Sequence, residues 1–158
     1  MPDTPRPPAL DPATITPRTG TAYPPEHAAI CDGRLKWAMG DAVGLSHFGV
    51  NLVALPPGVA SSQRHWHANE DEFVFVLEGE ITLITDAGEQ VLGPGMAAGF
   101  PAGRADGHVL VNRTNASVRY LEVGDRATDE VVEYSDVDMR LTRKDGKRQM
   151  TRRDGTAY

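Results

Sequence analysis

Two histidines separated by a single residue are the strongest chemical signal in this sequence. His65, Trp66 and His67 stand in a short polar stretch, and Glu72 opens the next apolar stretch after the link 68–71. In a β-strand the side chains of residues i and i+2 point to the same face, so both imidazoles would lie on one side. A strand that folds back beside the first would bring the Glu72 carboxylate next to them.

Two imidazoles and one carboxylate with open coordination positions suit a divalent transition metal better than Ca²⁺ or Mg²⁺. The predicted cofactor is therefore one such ion, which could be Zn, Mn, Fe or Ni. Each piece alone is a weak signal, since a His-x-His on a strand is common. Glu70, Asp71 and Glu72 could equally form an ordinary acidic turn.

Short strands separated by turn residues must position this cluster. The 158 residues fit one domain with tails, and the 16 glycines and 12 prolines mark many turns. Their regular spacing, without sustained helical periodicity, predicts an all-β sandwich or barrel. The predicted strands are 35–39, 45–55, 62–67, 72–78, 81–85, 90–92, 96–100, 108–112, 117–123 and 130–134.

The two ends of the chain differ from this central part in composition. Residues 1–25 are rich in proline and predict an irregular arm, whereas residues 26–135 form the predicted barrel. Residues 136–158 form a basic extension, and a short helical turn is expected at 137–143. Such an extension is either solvated or packs on an acidic surface of its own fold.

Composition also excludes several classes of partner. The net charge of −6 argues against broad nucleic-acid binding. No stretch approaches the roughly 18 apolar residues of a membrane helix, so no membrane partner is expected. The N-terminus lacks the apolar segment of a secretory signal, which favours a cytoplasmic protein. Cys31 is the single cysteine, so an intramolecular disulfide is excluded.

The residues around the histidines follow an ordered pattern of ten positions. Its first half is Gly58, His65, His67, Glu72 and Gly79, and its second half is Gly95, Pro101, Gly103, His108 and Asn112. This order resembles the paired motifs of the cupin superfamily, over residues 49–123.

The resemblance implies an all-β double-stranded β-helix, the jelly-roll or cupin barrel. It also implies that His65, His67, Glu72 and His108 bind one metal ion. Asp106, in the loop before His108, is the other oxygen ligand that this segment offers. Compact cupins of this layout resemble proteins assigned as sugar-phosphate isomerases, and small cupins commonly pair as homodimers.

Strand alternation predicts which side chains surround the metal. The predicted inward-facing pocket residues are Gln63, Val74, Val76, Leu110 and Asn112. The residues between them on the central strand then form an outward apolar row, Phe73, Phe75 and Leu77. An exposed apolar row needs cover, which favours a homodimer; the alternative is that the N-terminal arm covers it.

Candidate catalytic and phosphate-binding residues follow from the same reasoning. Tyr120 and Glu122 alternate with apolar residues, and a Tyr or Glu beside a metal could act as general acid or base. A phosphate group would need cations, for which the candidates are Arg64, Arg104, Arg113 and Arg119.

Three functions remain open at this stage. A metal-dependent isomerase acting on a small oxygenated molecule of the sugar-phosphate kind is favoured. An Fe(II) dioxygenase is the first alternative, because a His and carboxylate site with open positions also suits iron. A non-catalytic cupin that binds a small molecule is the second.

Overall fold

The computed structural model describes residues 8–158 as thirteen short strands with two single-turn α-helices and two 3₁₀ turns. The helices are α1 (Pro25–Ala28) and α2 (Met39–Ala42), and the 3₁₀ turns are Pro12–Thr14 and Ala29–Cys31. The strands are β1 (Arg18–Thr19), β2 (Leu35–Ala38), β3 (Phe48–Leu55), β4 (His65–His67), β5 (Glu72–Glu78), β6 (Ile81–Thr85), β7 (Gly88–Leu92), β8 (Ala97–Phe100), β9 (Val109–Val111), β10 (Val118–Asp125), β11 (Glu130–Tyr134), β12 (Arg140–Lys144) and β13 (Lys147–Thr151).

These strands build two antiparallel layers. The first has the order β1-β2-β3-β10-β5-β8. The second contains β7-β6-β9 and β13-β12-β11-β4, and the bridge between His65 and His108 joins the two parts. The predicted all-β fold is therefore confirmed.

Inward-facing apolar side chains of both layers form the main core, and Val132, Tyr134 and Met139 form a second, smaller cluster. On β10 the buried Tyr120 lies opposite Val53 of β3 and Val76 of β5, so three strands contribute to one level of the interior. Ile81 of β6 reaches the same cluster from the second layer. Inward-facing and outward-facing side chains thus alternate with a period of two residues, as the sequence pattern predicted.

The basic C-terminal extension is a β-hairpin, and the helical turn expected at residues 137–143 is wrong. Strands β12 and β13 pair directly and continue the sheet from β11. Asp145 and Gly146 connect them with φ angles of 47° and 75°, as a two-residue type I′ turn requires. Arg140 and Arg143 of this hairpin contact Glu133 and Glu70, so part of the basic extension packs on acidic residues of its own fold.

Part of the predicted N-terminal arm also lies along the barrel. Strand β1 pairs with β2, and the Tyr23 ring meets the Tyr134 ring edge to face, with centroids 5.6 Å apart. Residues 1–7 lie outside the described residues. Within the described part of the chain, no helix is long and apolar enough to cross a membrane.

Candidate metal centre

Backbone pairing between β4 and the start of β9 brings two histidines side by side. The His65 N–H donates to the His108 carbonyl at 3.1 Å, and the His108 N–H donates to the His65 carbonyl at 2.8 Å. Residues paired in this way present their side chains on the same face. His67, two residues along β4, shares that face, so three imidazoles point into the space between the layers.

Glu72 lies at the centre of these imidazoles. Its Oε2 is 2.9 Å from Nε2 of His108, 3.3 Å from Nε2 of His67 and 3.6 Å from Nε2 of His65. The ligand atoms of His65, His67 and Glu72 all lie within 4.8 Å of one another. Glu72 is the first residue of β5 and pairs with Gly124 of β10.

Neighbouring groups fix the orientation of two of the rings. The His65 Nδ1 lies 2.8 Å from the Gln63 carbonyl oxygen, a contact that requires the proton on Nδ1 and leaves Nε2 free to coordinate. The His108 ring stacks on Phe100, with centroids 3.6 Å apart and planes 6° from parallel. Phe100 was not among the predicted site residues, although its place before Pro101 on an inward strand position was a usable signal.

His67 provides the test of whether these residues fit a metal ion. Both of its ring nitrogens are buried without a hydrogen-bond partner among the described residues. Its Nδ1 lies 3.7 Å from Glu70 Oε2 and 3.9 Å from Glu130 Oε2. A histidine that binds metal through one nitrogen commonly presents the other to a carboxylate, and this arrangement matches that pattern.

Glu130 is held firmly behind His67. It is 2% exposed, and its Oε1 accepts the N–H groups of Ala68, Asn69 and Val131 at 2.9, 3.1 and 2.7 Å. Its Oε2 has no partner among residues 8–158 and faces His67. Sequence reasoning missed this residue because only the pairing of β4 with β11 brings it to the cluster.

The protonation behaviour of the cluster follows from its crowded charges. Burial would raise the pKa of Glu72, but the three imidazoles beside its carboxylate hold that pKa well below its usual value. Burial lowers the pKa of His67, yet Glu72, Glu130 and Glu70 outweigh it and the pKa ends above its usual value. Burial, with the neighbouring histidines, lowers the pKa of His108. Protons and a metal ion therefore compete for this acidic cluster.

A cavity of about 290 Å³ opens from the cluster between the two layers. Val74 and Leu110 line it beside His65, His67, Glu72 and His108. Glu122 also lines it, with Oε1 2.7 Å from Lys36 Nζ and 3.2 Å from Asn51 Nδ2.

The structure corrects the predicted lining at three positions. Gln63 precedes β4, and its side chain donates instead to the His27 carbonyl at 2.9 Å. Val76 packs in the apolar core beneath the cavity. Asn112 is fully buried and donates to the carbonyls of Leu55 and Ala116, so its role is structural.

Tyr120, considered above as a catalytic residue, lies in the core and not at the cavity. Its side chain is 0% exposed in the core, and the residue does not line the cavity. Burial raises the pKa of its hydroxyl well above the usual value. A hydroxyl in this position does not reach a substrate, so we assign Tyr120 no catalytic role.

None of the four predicted phosphate-binding arginines lines this cavity. Arg64 pairs with Asp136 at 2.7 Å and also with Asp86. Arg113 and Arg119 form exposed pairs with glutamates. Arg104 lines a separate cavity instead. The cavity of about 290 Å³ is called the metal-side cavity below. Four basic side chains that the sequence analysis did not identify line it, and they are Arg34, Lys36, Arg143 and Arg148.

The separate cavity, about 330 Å³, reaches the cluster from the side of β6, β7 and β8. His67 and His108 line both cavities, so the cluster lies between them. The walls of this second cavity are mixed, with the polar Gln90 and Arg104 beside the apolar Leu83, Ala98 and Phe100.

Fold and site together define a class of protein, a two-layer β-barrel with a histidine and glutamate cluster of metal-binding type in its interior. The cupin domain matches residues 51–124. A sugar phosphate isomerase of the cupin superfamily from Silicibacter pomeroyi is 47% identical, with 96% of each chain covered and a TM-score of 0.92. The chain belongs to the cupin superfamily.

Other solved structures extend this comparison. A protein from Acidithiobacillus ferrooxidans, proposed to be a sugar phosphate isomerase, is 33% identical over 79% of this chain and 80% of its own, with a TM-score of 0.72. A polyketide cyclase from Streptomyces resistomycificus is 20% identical over 74% and 78%, with a TM-score of 0.62, and shows the fold alone. No curated protein matches the chain.

Proposed function

We propose that this cupin is a metal-dependent isomerase acting on a small oxygenated molecule that carries a phosphate group. The observation that carries the proposal is the convergence of three imidazoles and Glu72 on a cavity that also holds Glu122. Similarity to the Silicibacter pomeroyi sugar phosphate isomerase supports the substrate class. A divalent ion at such a site supplies polarisation of a carbonyl or hydroxyl oxygen.

His65, His67, Glu72 and His108 would hold the ion and leave its remaining positions open toward the cavity. Glu122 pairs with Val74 on the neighbouring strand, so it is a diagonal neighbour of Glu72 on the inward face. Diagonal neighbours on adjacent strands lie about 7–8 Å apart, which leaves room for a small substrate between them.

Glu122 is the group placed to move a proton. Its carboxylate would take a proton from the hydroxyl-bearing carbon beside the substrate carbonyl and return it to the former carbonyl carbon. The hydroxyl proton would pass to the former carbonyl oxygen, so that the reaction is balanced without a further reactant. Hydrogen bonds from Lys36 and Asn51 fix its orientation.

Tyr23 and Tyr134 line the same cavity, and the Tyr23 hydroxyl accepts the Gln63 N–H at 3.3 Å. Burial raises the pKa of Tyr23 to about 12 and also raises that of Tyr134. Both hydroxyls therefore keep their protons near neutral pH, and they would orient substrate oxygens rather than act as bases.

The test is an isomerisation assay with aldose and ketose phosphates in D₂O, followed by NMR. We expect interconversion with deuterium entering at the carbon beside the carbonyl, loss of turnover on chelation, and recovery when the metal is restored. Turnover that persists after verified removal of the metal would contradict the proposal.

The second cavity supports one alternative function, an Fe(II) dioxygenase. Because it reaches His67 and His108 from the other side, it offers a small apolar molecule such as O₂ a separate approach to the ion. Substrate-dependent O₂ uptake by the iron-loaded protein, without isomerisation, would favour this alternative.

We also propose that a second copy of the chain covers the outward face of β5 and β10. Phe73 and Leu77 are 45% and 40% exposed there, and the apolar Leu121 and Val123 lie next to them on β10. A continuous exposed apolar face on a sheet is typical of an interface.

Replacing Leu77 by aspartate is therefore expected to convert a dimer into a monomer in light scattering after gel filtration. Leu77 faces away from the cluster, so metal content should not change. Val91→Asp is the matched control, because Val91 is 59% exposed on β7, outside this face. A wild-type protein that is already monomeric at micromolar concentration would refute the dimer.

A further inference from the structure

The metal-side cavity has a balanced set of charged side chains. Its acidic members are Glu70, Glu72, Glu122 and Glu130, and its basic members are Arg34, Lys36, Arg143 and Arg148. Two pairs neutralise each other, since Lys36 lies 2.7 Å from Glu122 and Arg143 contacts Glu70 directly.

The two other cations have no such partner. Among the described residues, no salt bridge includes Arg34 or Arg148, although the neighbouring Lys36 and Arg143 each form one. Arg34 donates to the backbone carbonyls of Ser61 and Gly20, which hold its guanidinium in place without cancelling its charge. Three of its five N–H donors are not used in these bonds.

Both arginines line the cavity wall. Arg34 immediately precedes β2 and lines the cavity together with Lys36. Arg148 pairs with Arg143 across the β12–β13 hairpin and lies at the exposed rim on the same face.

Tyr23 and Tyr134 line the same cavity as the two arginines. The two tyrosine rings meet edge to face, with centroids 5.6 Å apart.

A divalent ion on the cluster would balance the remaining two acids, Glu72 and Glu130. Arg34 and Arg148 would then leave the cavity with two uncompensated positive charges. A phosphate monoester carries a charge of about −1.5 to −2 at neutral pH, so a bound monoester would complete the balance. A single carboxylate would satisfy only half of it.

We propose that Arg34 and Arg148 form an anion subsite that binds the phosphate group of the substrate, with the Tyr23 and Tyr134 hydroxyls beside it. The inference rests on the proposed function in one respect, that the phosphate belongs to the molecule being isomerised. Binding of the anion itself requires no turnover, so the two proposals are separable.

The test is calorimetric titration of the metal-loaded protein with inorganic phosphate, for the wild type, Arg148→Gln and the control Lys147→Gln. Lys147 neighbours Arg148 on β13, loses the same charge and does not line the metal-side cavity. We expect phosphate affinity about tenfold or more lower in Arg148→Gln and unchanged in the control, since a charge-assisted bond is lost. Arg34→Lys, which keeps the charge but not the fork of donors, should show a smaller loss.

Two further measurements separate the outcomes. Metal content should be equal in all four proteins, and acetate should bind more weakly than phosphate. Equal phosphate affinity in the wild type and Arg148→Gln, acetate binding as tight as phosphate, or absence of phosphate binding to the wild type would overturn the subsite. Phosphate binding without isomerisation would refute the proposed function and leave the subsite standing.

Discussion

Replacement of His67 by alanine is expected to remove the bound metal ion and lower the melting temperature by about 5–10 °C. His67 contributes one of four ligands, and its Nε2 is buried 3.3 Å from the Glu72 carboxylate with no hydrogen bond to satisfy it. A metal that binds only the folded state at a hundred times its Kd stabilises that state by about 2.7 kcal/mol, which is lost with the ion.

The measurement is metal analysis of protein purified without an affinity tag, paired with thermal unfolding. His47→Ala is the matched control, because His47 is an exposed histidine outside the site. We expect the control to keep about one ion per chain and the wild-type melting temperature. Full metal content in His67→Ala would count decisively against the proposed site.

Replacement of Glu122 by glutamine is expected to lower kcat by about 10²–10⁴-fold, the usual contribution of a general base. The amide keeps the shape and the hydrogen-bonding reach of the side chain but cannot accept the substrate proton. Metal content should not change, because Glu122 is paired with Lys36 and is not one of the proposed ligands.

The assay compares wild type, Glu122→Gln and Glu78→Gln under saturating substrate. Glu78 is an exposed residue of β5 that pairs with Arg119 outside the cavity, so its variant should retain wild-type kcat. If Glu122→Gln turned over substrate at the wild-type rate, the base would have to be another group and our assignment of Glu122 would be wrong.

The strands and the central cluster were predictable because their signals are local. Turn residues separate short apolar stretches, and the predicted strand 72–78 coincides with β5. The face shared by His65 and His67 follows from their spacing alone. His108 required the ordered cupin pattern, since nothing in its immediate neighbourhood marks it as a ligand.

The rest depended on pairings between distant parts of the chain. Glu130 reaches His67 only because β11 pairs with β4. Arg148 enters the cavity wall only because a hairpin extends the same sheet. That hairpin had a local signal in Asp145-Gly146, which the basic composition of the extension obscured.

The central claim is that one metal ion binds to three imidazoles and one carboxylate in the barrel interior, and anomalous diffraction at the absorption edge of the bound metal tests it most directly. We expect one peak about 2.0–2.2 Å from Nε2 of His65, His67 and His108 and from a carboxylate oxygen of Glu72. A peak among His67 Nδ1, Glu70 and Glu130, or no peak in a crystal of metal-replete protein, would contradict the account.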